Sequence, residues 1–117
     1  MTIKRVEVGP RMSQMVIHGD TVYLAGKVAR ADAGRSVGEQ TRDILAQIDD
    51  LLAEAGTDKS KLLSANIWLT DIKTFDQMNK VWDAWVAPGN PPCRACVEAK
   101  LAAPQYQVEI MVTAARD

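Results

Sequence analysis

Two hydrophobic periods take turns along this chain. Residues 3–8 alternate weakly, and residues 12–17 and 21–25 form two short β-type runs. His18-Gly19-Asp20 lies between these runs, and its glycine suits a tight hairpin turn. Residues 29–36 (ARADAGRS) are small and polar and read as a loop. The period then changes. Ser36 is an N-cap and Glu39 completes a capping box. Ile44, Leu45, Ile48, Leu51, Leu52 and Ala55 follow as one helical stripe, and Gly56 is the stop. Residues 61–70 (KLLSANIWLT) return to alternation. Leu63, Ala65, Ile67 and Leu69 are predicted to face the core, with Ser64, Asn66, Trp68 and Thr70 opposite. After the turn chemistry of Asp71 to Thr74, Phe75, Met78, Trp82 and Trp85 mark a second helix, which Pro88-Gly89-Asn90-Pro91-Pro92 breaks.

Two strands close the chain. In the first, Cys93, Ala95, Val97 and Ala99 share one face against Arg94, Cys96, Glu98 and Lys100. In the second, Val108, Ile110, Val112 and Ala114 oppose Gln107, Glu109, Met111 and Thr113. The predicted order is βββαβαββ. Two helices are too few to cover both faces of six strands, so they should pack on one face of an α+β two-layer domain. The other face would then carry Trp68, Cys96, Met111, Arg94 and Glu109 together. A mixed apolar and charged sheet face suits a subunit interface with polar groups held in it.

Composition narrows the function. At 117 residues, with 47% hydrophobic and 25% charged positions, the chain is one globular domain spanning residues 1–117. A net charge of −1 offers no basic footprint for nucleic acid. No apolar run reaches the ~20 residues of a membrane span, and MTIKRVEVGP has no apolar core of a secretory signal. The expectation is a soluble cytoplasmic protein.

Candidate chemistry is sparse. Cys93-Arg94-Ala95-Cys96 has the Cys-x-x-Cys spacing, but within a strand it holds its thiols on opposite faces, which argues against a redox pair. With one His and no second Cys pair, a zinc site is not expected. His18 falls in a turn, without the packing a catalytic histidine needs. No phosphate-binding glycine loop is present. Arg94 stands out. It can form a bidentate pair with a small carboxylate or a structural ion pair with Glu98 on its own face, and the residues leave both open. Glu109 can order a water molecule or stand as a plain strand carboxylate.

These residues carry a family resemblance. PPCRACVE (91–98) and VEIMVTA (108–114) resemble the RidA (YjgF) family of small enamine/imine deaminases. Gly9-Pro10, LAG at 24–26, AGTDKSKLLSANIWLTD at 55–71 and Asn79 support the likeness across essentially the whole chain. The resemblance implies a chorismate-mutase-like, mostly antiparallel fold and a homotrimer with active sites between subunits. It implies hydrolysis of reactive 2-imino or 2-enamino acids to 2-oxo acids and ammonia, without metal or cofactor. Arg94 matches the arginine that grips the substrate carboxylate, and Glu109 the glutamate that positions water. Cys96 matches a position whose backbone lies against the substrate amine, and Gly26 and Lys27 fall in the substrate-binding segment. A guanidinium beside Glu109 would favour its ionised form. The alternative on the same scaffold is a non-catalytic module that binds a small carboxylate. The chain departs from the family pattern at Arg11, at the slightly longer following hairpin, at Lys27-Val28 and at Cys93. Added positive charge at Arg11 or Lys27 would suit a substrate with a second acidic group.

Overall fold

The computed structural model describes residues 2–117. Its order is β1 (Ile3–Val8), β2 (Ser13–His18), β3 (Thr21–Leu24), α1 (Val37–Glu54), β4 (Leu62–Leu69), α2 (Phe75–Trp85), β5 (Cys93–Glu98) and β6 (Val108–Ala115). The strands form a single sheet in the order β1-β2-β3-β6-β4-β5. Every neighbouring pair is antiparallel except β4 and β5, which α2 connects as a crossover. This is the expected two-layer α+β architecture, with both helices over one sheet face.

The capping chemistry of α1 forms as its residues dictate. Ser36 Oγ accepts the Glu39 N–H at 3.2 Å. At the far end Gly56 takes φ +81°, a conformation that strains any residue with a Cβ. There its N–H reaches Ala53 O at 3.0 Å while Thr57 N–H reaches Leu52 O at 2.9 Å. That paired bonding satisfies carbonyls the helix end leaves free.

The core lies between helices and sheet. Ile44, Ile48 and Leu52 of α1 and Met78 of α2 are fully buried against Val22, Ile67, Leu69, Val108 and Ile110. The predicted stripe of α2 is shifted slightly. Met78, Val81 and Trp82 are buried, whereas Phe75 and Trp85 sit at its margins.

Two expectations about facing change. The predicted inward Leu63 is 48% exposed, and Leu62 is buried instead. The cause is a register irregularity between Leu62 and Ser64 on β6, which resets the alternation at the strand's start. The second correction matters more for function. Register pairs Arg94 with Ala65, Cys96 with Ile67 and Glu98 with Leu69. Side chains of paired residues share a face, so Arg94 and Cys96 lie on the helix side of the sheet. Glu109 pairs with Trp68 and Met111 with Asn66 on the open side. The expected common face for Arg94, Cys96, Trp68, Met111 and Glu109 is therefore split in two. Alternation gives parity within a strand; only pairing with β4 says which parity is inward.

Candidate active site

Arg94 opens the edge strand β5, and α2 receives its side chain. Nη1 donates to Asn79 Oδ1 at 2.8 Å. The guanidinium carbon stands 5.3 Å from the Trp82 ring centroid and 5.8 Å from that of Phe75. Stacking on aromatic faces and one neutral acceptor orient the fork without neutralising it. The ion pair with Glu98, one of the two readings of Arg94, does not form: Glu98 Oε1 accepts the Ile72 N–H at 3.0 Å and ties β5 to the turn before α2. Among the described residues Arg94 has no carboxylate partner. It is a held cation with donors to spare.

Phe75, Asn79 and Trp82 were not singled out as site residues by chain pattern, yet they form this clamp. The available signal was Asn79 itself, a polar residue spaced 75, 79, 82 with two aromatics on one helix stripe. Cys96, half-buried on the same side, packs against the core, and burial pushes its thiol pKa up despite nearby Arg94. A thiol so placed is a poor nucleophile. Cys93, on the opposite face, donates Sγ–H to Leu63 O at 3.2 Å. Both cysteines are free.

Glu109 sits on the open face under a different set of neighbours. A Cβ placed on Gly26 would fall 2.2 Å from Glu109 Oε2, so the missing side chain at residue 26 makes room for this carboxylate. Burial pushes the Glu109 carboxyl above its ordinary range. The sequence expectation was a guanidinium favouring the ionised form; within one chain desolvation acts instead, in the opposite direction. Lys27 joins the same strand through its backbone, with Lys27 N–H to Ile110 O at 2.8 Å and Ile110 N–H to Lys27 O at 3.0 Å. Its side chain is 4% exposed, and its ammonium donates to Gln14 Oε1. Desolvation, aided by Arg30 and opposed by Glu7, lowers the Lys27 pKa. Arg11 is exposed on the β1–β2 connection.

The structure thus builds two half-sites. Gly26 and Glu109 meet on one, which Lys27 joins through its backbone only, its side chain lying in register with inward-facing Ile110 and beside Arg30, Gln47 and Asp50; Arg94, Cys96 and α2 meet on the other. Three residues along β4 and two inter-strand steps across it separate Arg94 from Glu109, about 14 Å along the sheet, and they lie on opposite faces. Among the described residues no group of three His, Cys, Asp or Glu side chains is arranged to hold a metal ion.

The chain is thus a two-layer α+β domain with an arginine clamped at its edge strand and a desolvated carboxylate on its open face. The comparisons identify the family. The family model for Endoribonuclease L-PSP matches residues 2–116. The RutC family protein YoaB of Escherichia coli is 46% identical over 115 residues, which cover 98% of this chain and 99% of that protein. A RutC family protein of Haemophilus influenzae is 45% identical over 114 residues, 97% and 98% of the two chains. The crystal structure of a YjgF-family protein from Neisseria meningitidis superimposes with a TM-score of 0.96 at 46% identity, covering 100% of this chain and 97% of that one. The chain belongs to the RidA/YjgF/RutC family.

Proposed function

We propose that this protein hydrolyses 2-imino acids, formed from their 2-enamino tautomers, to 2-oxo acids and ammonia. The observation that carries the reading is Arg94: a guanidinium aimed by Asn79 and Trp82, with no carboxylate among the described residues to neutralise it. Such a group binds a small carboxylate in the bidentate mode.

Glu109 supplies the second requirement. A carboxylate whose pKa is raised towards the working pH is a better proton acceptor than an ordinary one. Ionised Glu109 takes a proton from water as the oxygen attacks the imine carbon. Glu109 passes that proton to the nitrogen, giving the carbinolamine; the hydroxyl proton then moves by way of Glu109 to the same nitrogen, the C–N bond breaks, and ammonia leaves as the carbonyl forms. Orienting one water and one anchored substrate supplies the effective concentration that solution lacks.

Since one chain holds the two groups on opposite faces, the reading needs a neighbouring copy. The edge of β5 carries Arg94, and the open sheet face carries Glu109 beside Trp68, Tyr23, Val97 and Met111. A homotrimer in which the edge of one subunit meets the open face of the next assembles a complete site in each cleft. Gly26 and the Lys27 backbone border it at Glu109, and Cys96 borders it at Arg94.

The test generates imino acids in situ with an amino-acid oxidase or a dehydratase and follows the 2-oxo acid. Arg94→Ala should lower kcat/KM about 10²-fold, the loss of ~3 kcal/mol of charge-assisted hydrogen bonding. Asn79→Leu should act in the same direction, mainly through KM, because the fork loses its aim. No acceleration by the unmodified protein across several imines would leave the binding module as the reading. The ribonuclease name of the matching family model finds no support in this chain's chemistry: its one histidine, His18, stands exposed at the β2–β3 turn.

A further inference from the structure

The outer surface of the helical layer carries a feature the deaminase reading does not use. A groove of about 520 Å3 runs between α1 and α2. Buried Leu45 and Val81 form its floor, flanked by exposed Ala46 and Ala84 and half-buried Trp85. Its walls carry Arg42, Lys59 and Lys80. Among the described residues none of these three cations pairs with a carboxylate. The acid in the wall, Asp49, is engaged from inside: its Oδ2 accepts the Trp85 indole N–H at 3.0 Å. Lys59 Nζ stands 5.2 Å from the Trp85 ring centroid. In a chain of net charge −1, three unpaired cations around an apolar floor are a local excess.

We propose that this groove binds a small organic anion with a flat apolar body, of the arylacetate or aryl-substituted carboxylate class. The volume lies within the range of small-ligand sites, whose walls are apolar with a few placed polar groups. The Trp85 indole already meets Lys59 Nζ at 5.2 Å and the Trp82 ring at 5.4 Å, so the ligand's apolar body takes the room left over the small Ala46 and Ala84 and meets the indole along its remaining edge. Arg42 and Lys80 on one side and Lys59 on the other place a cation within reach of the carboxylate whichever way the ring lies. A neutral aromatic would gain the floor without the charges, and acetate the charges without the floor.

Arg94 does not line the groove, but Trp82, over which it stands, lies 5.4 Å from Trp85 between ring centroids, so the test reads the affinity of the probe rather than the resting position of the Trp85 resonance and does not depend on the deaminase reading. The probe is phenylacetate, titrated into the 15N-labelled full chain while the indole N–H resonances of Trp68, Trp82 and Trp85 are followed; Trp85→Phe assigns the third. The expected result is a saturable shift of the Trp85 resonance that weakens as salt is raised. Lys59→Glu with Lys80→Glu should weaken binding about tenfold or more, as should replacement of the probe by 2-phenylethanol or by acetate. Arg94→Ala should leave the affinity read from the Trp85 titration unchanged. A dispersed spectrum of the double variant shows that it is folded; the single variant Arg42→Gln provides a second, milder readout in the same direction. No saturable shift up to about 20 mM overturns the proposal. So does a titration abolished by Arg94→Ala and retained in the lysine variants, which would place the probe at the arginine instead.

Discussion

At the scale of single residues, the site depends on what is left out as much as on what is present. Gly26 is conformationally ordinary; its role is space. Gly26→Ala puts a methyl group where Glu109 Oε2 now lies. The carboxylate is the free end of a flexible side chain and can swing aside, so stability should change by less than about 1 kcal/mol. Imine hydrolysis should nonetheless fall by at least about tenfold, because the water-positioning oxygen has moved. Glu109 also leaves a pH signature. Its folded pKa is raised, so the folded state holds the proton more tightly than the unfolded chain, and stability falls as pH rises from the ordinary glutamate value through the folded one. Glu109→Gln mimics the protonated form. Its Tm should exceed that of the unmodified protein at pH 8 and match it near pH 4, a difference that thermal scans at the two pH values measure directly. The residues alone left Arg94 open between a carboxylate grip and an ion pair with Glu98, and Glu109 between a water-ordering group and a plain strand carboxylate; only the family resemblance implied their roles. The Asn79–Trp82 clamp was not legible, because a stripe shows which residues share a side of a helix and not which strand they meet.

Helix ends and strand registers govern the next scale. Ser36 at the start of α1 satisfies the Glu39 N–H, and Glu39 returns the contact as an acceptor from Ser36 Oγ at 3.0 Å. Ser36→Ala should cost about 1 kcal/mol and lower Tm by ~4 °C, with the fold unchanged by circular dichroism. Such caps were readable because they are local: Ser and Glu three residues apart meet only in a helix start. Leu62 and Leu63 show the opposite case. The alternation of Ala65, Ile67 and Leu69 carries back to Leu63, so the chain pattern places Leu63 inward. The irregularity against β6 reverses this, sending Leu62 inward and Leu63 to the surface. The same logic separates Arg94 from Glu109. Each strand's alternation was readable, while the pairing of β5 with the inward-facing parity of β4 is a contact between elements distant in sequence.

For the molecule as a whole, the open sheet face has the larger consequence. Tyr23, Val97 and Met111 are 44%, 51% and 38% exposed there, beside half-buried Trp68 and Glu109. If this face joins subunits, Met111→Asp places a charge in a desolvated contact and should shift the sedimenting species from three chains to one of 12.8 kDa, with activity lost alongside. A single-chain species for the unmodified protein at micromolar concentration would remove the composite site, since no one chain brings Arg94 to Glu109.

What the chain alone determined was local and periodic: two helices with their caps, the β-type runs, an α+β layering, and an arginine and a glutamate worth attention. These follow from propensity, capping and burial acting within a few residues. Tertiary structure decided which side of the sheet each of those two residues faces, the clamp that orients the guanidinium, and the desolvation that lifts Glu109. Each of these depends on which surfaces come together, and a side chain acquires a hydrogen-bond partner or a low-dielectric neighbour only when distant segments close around it.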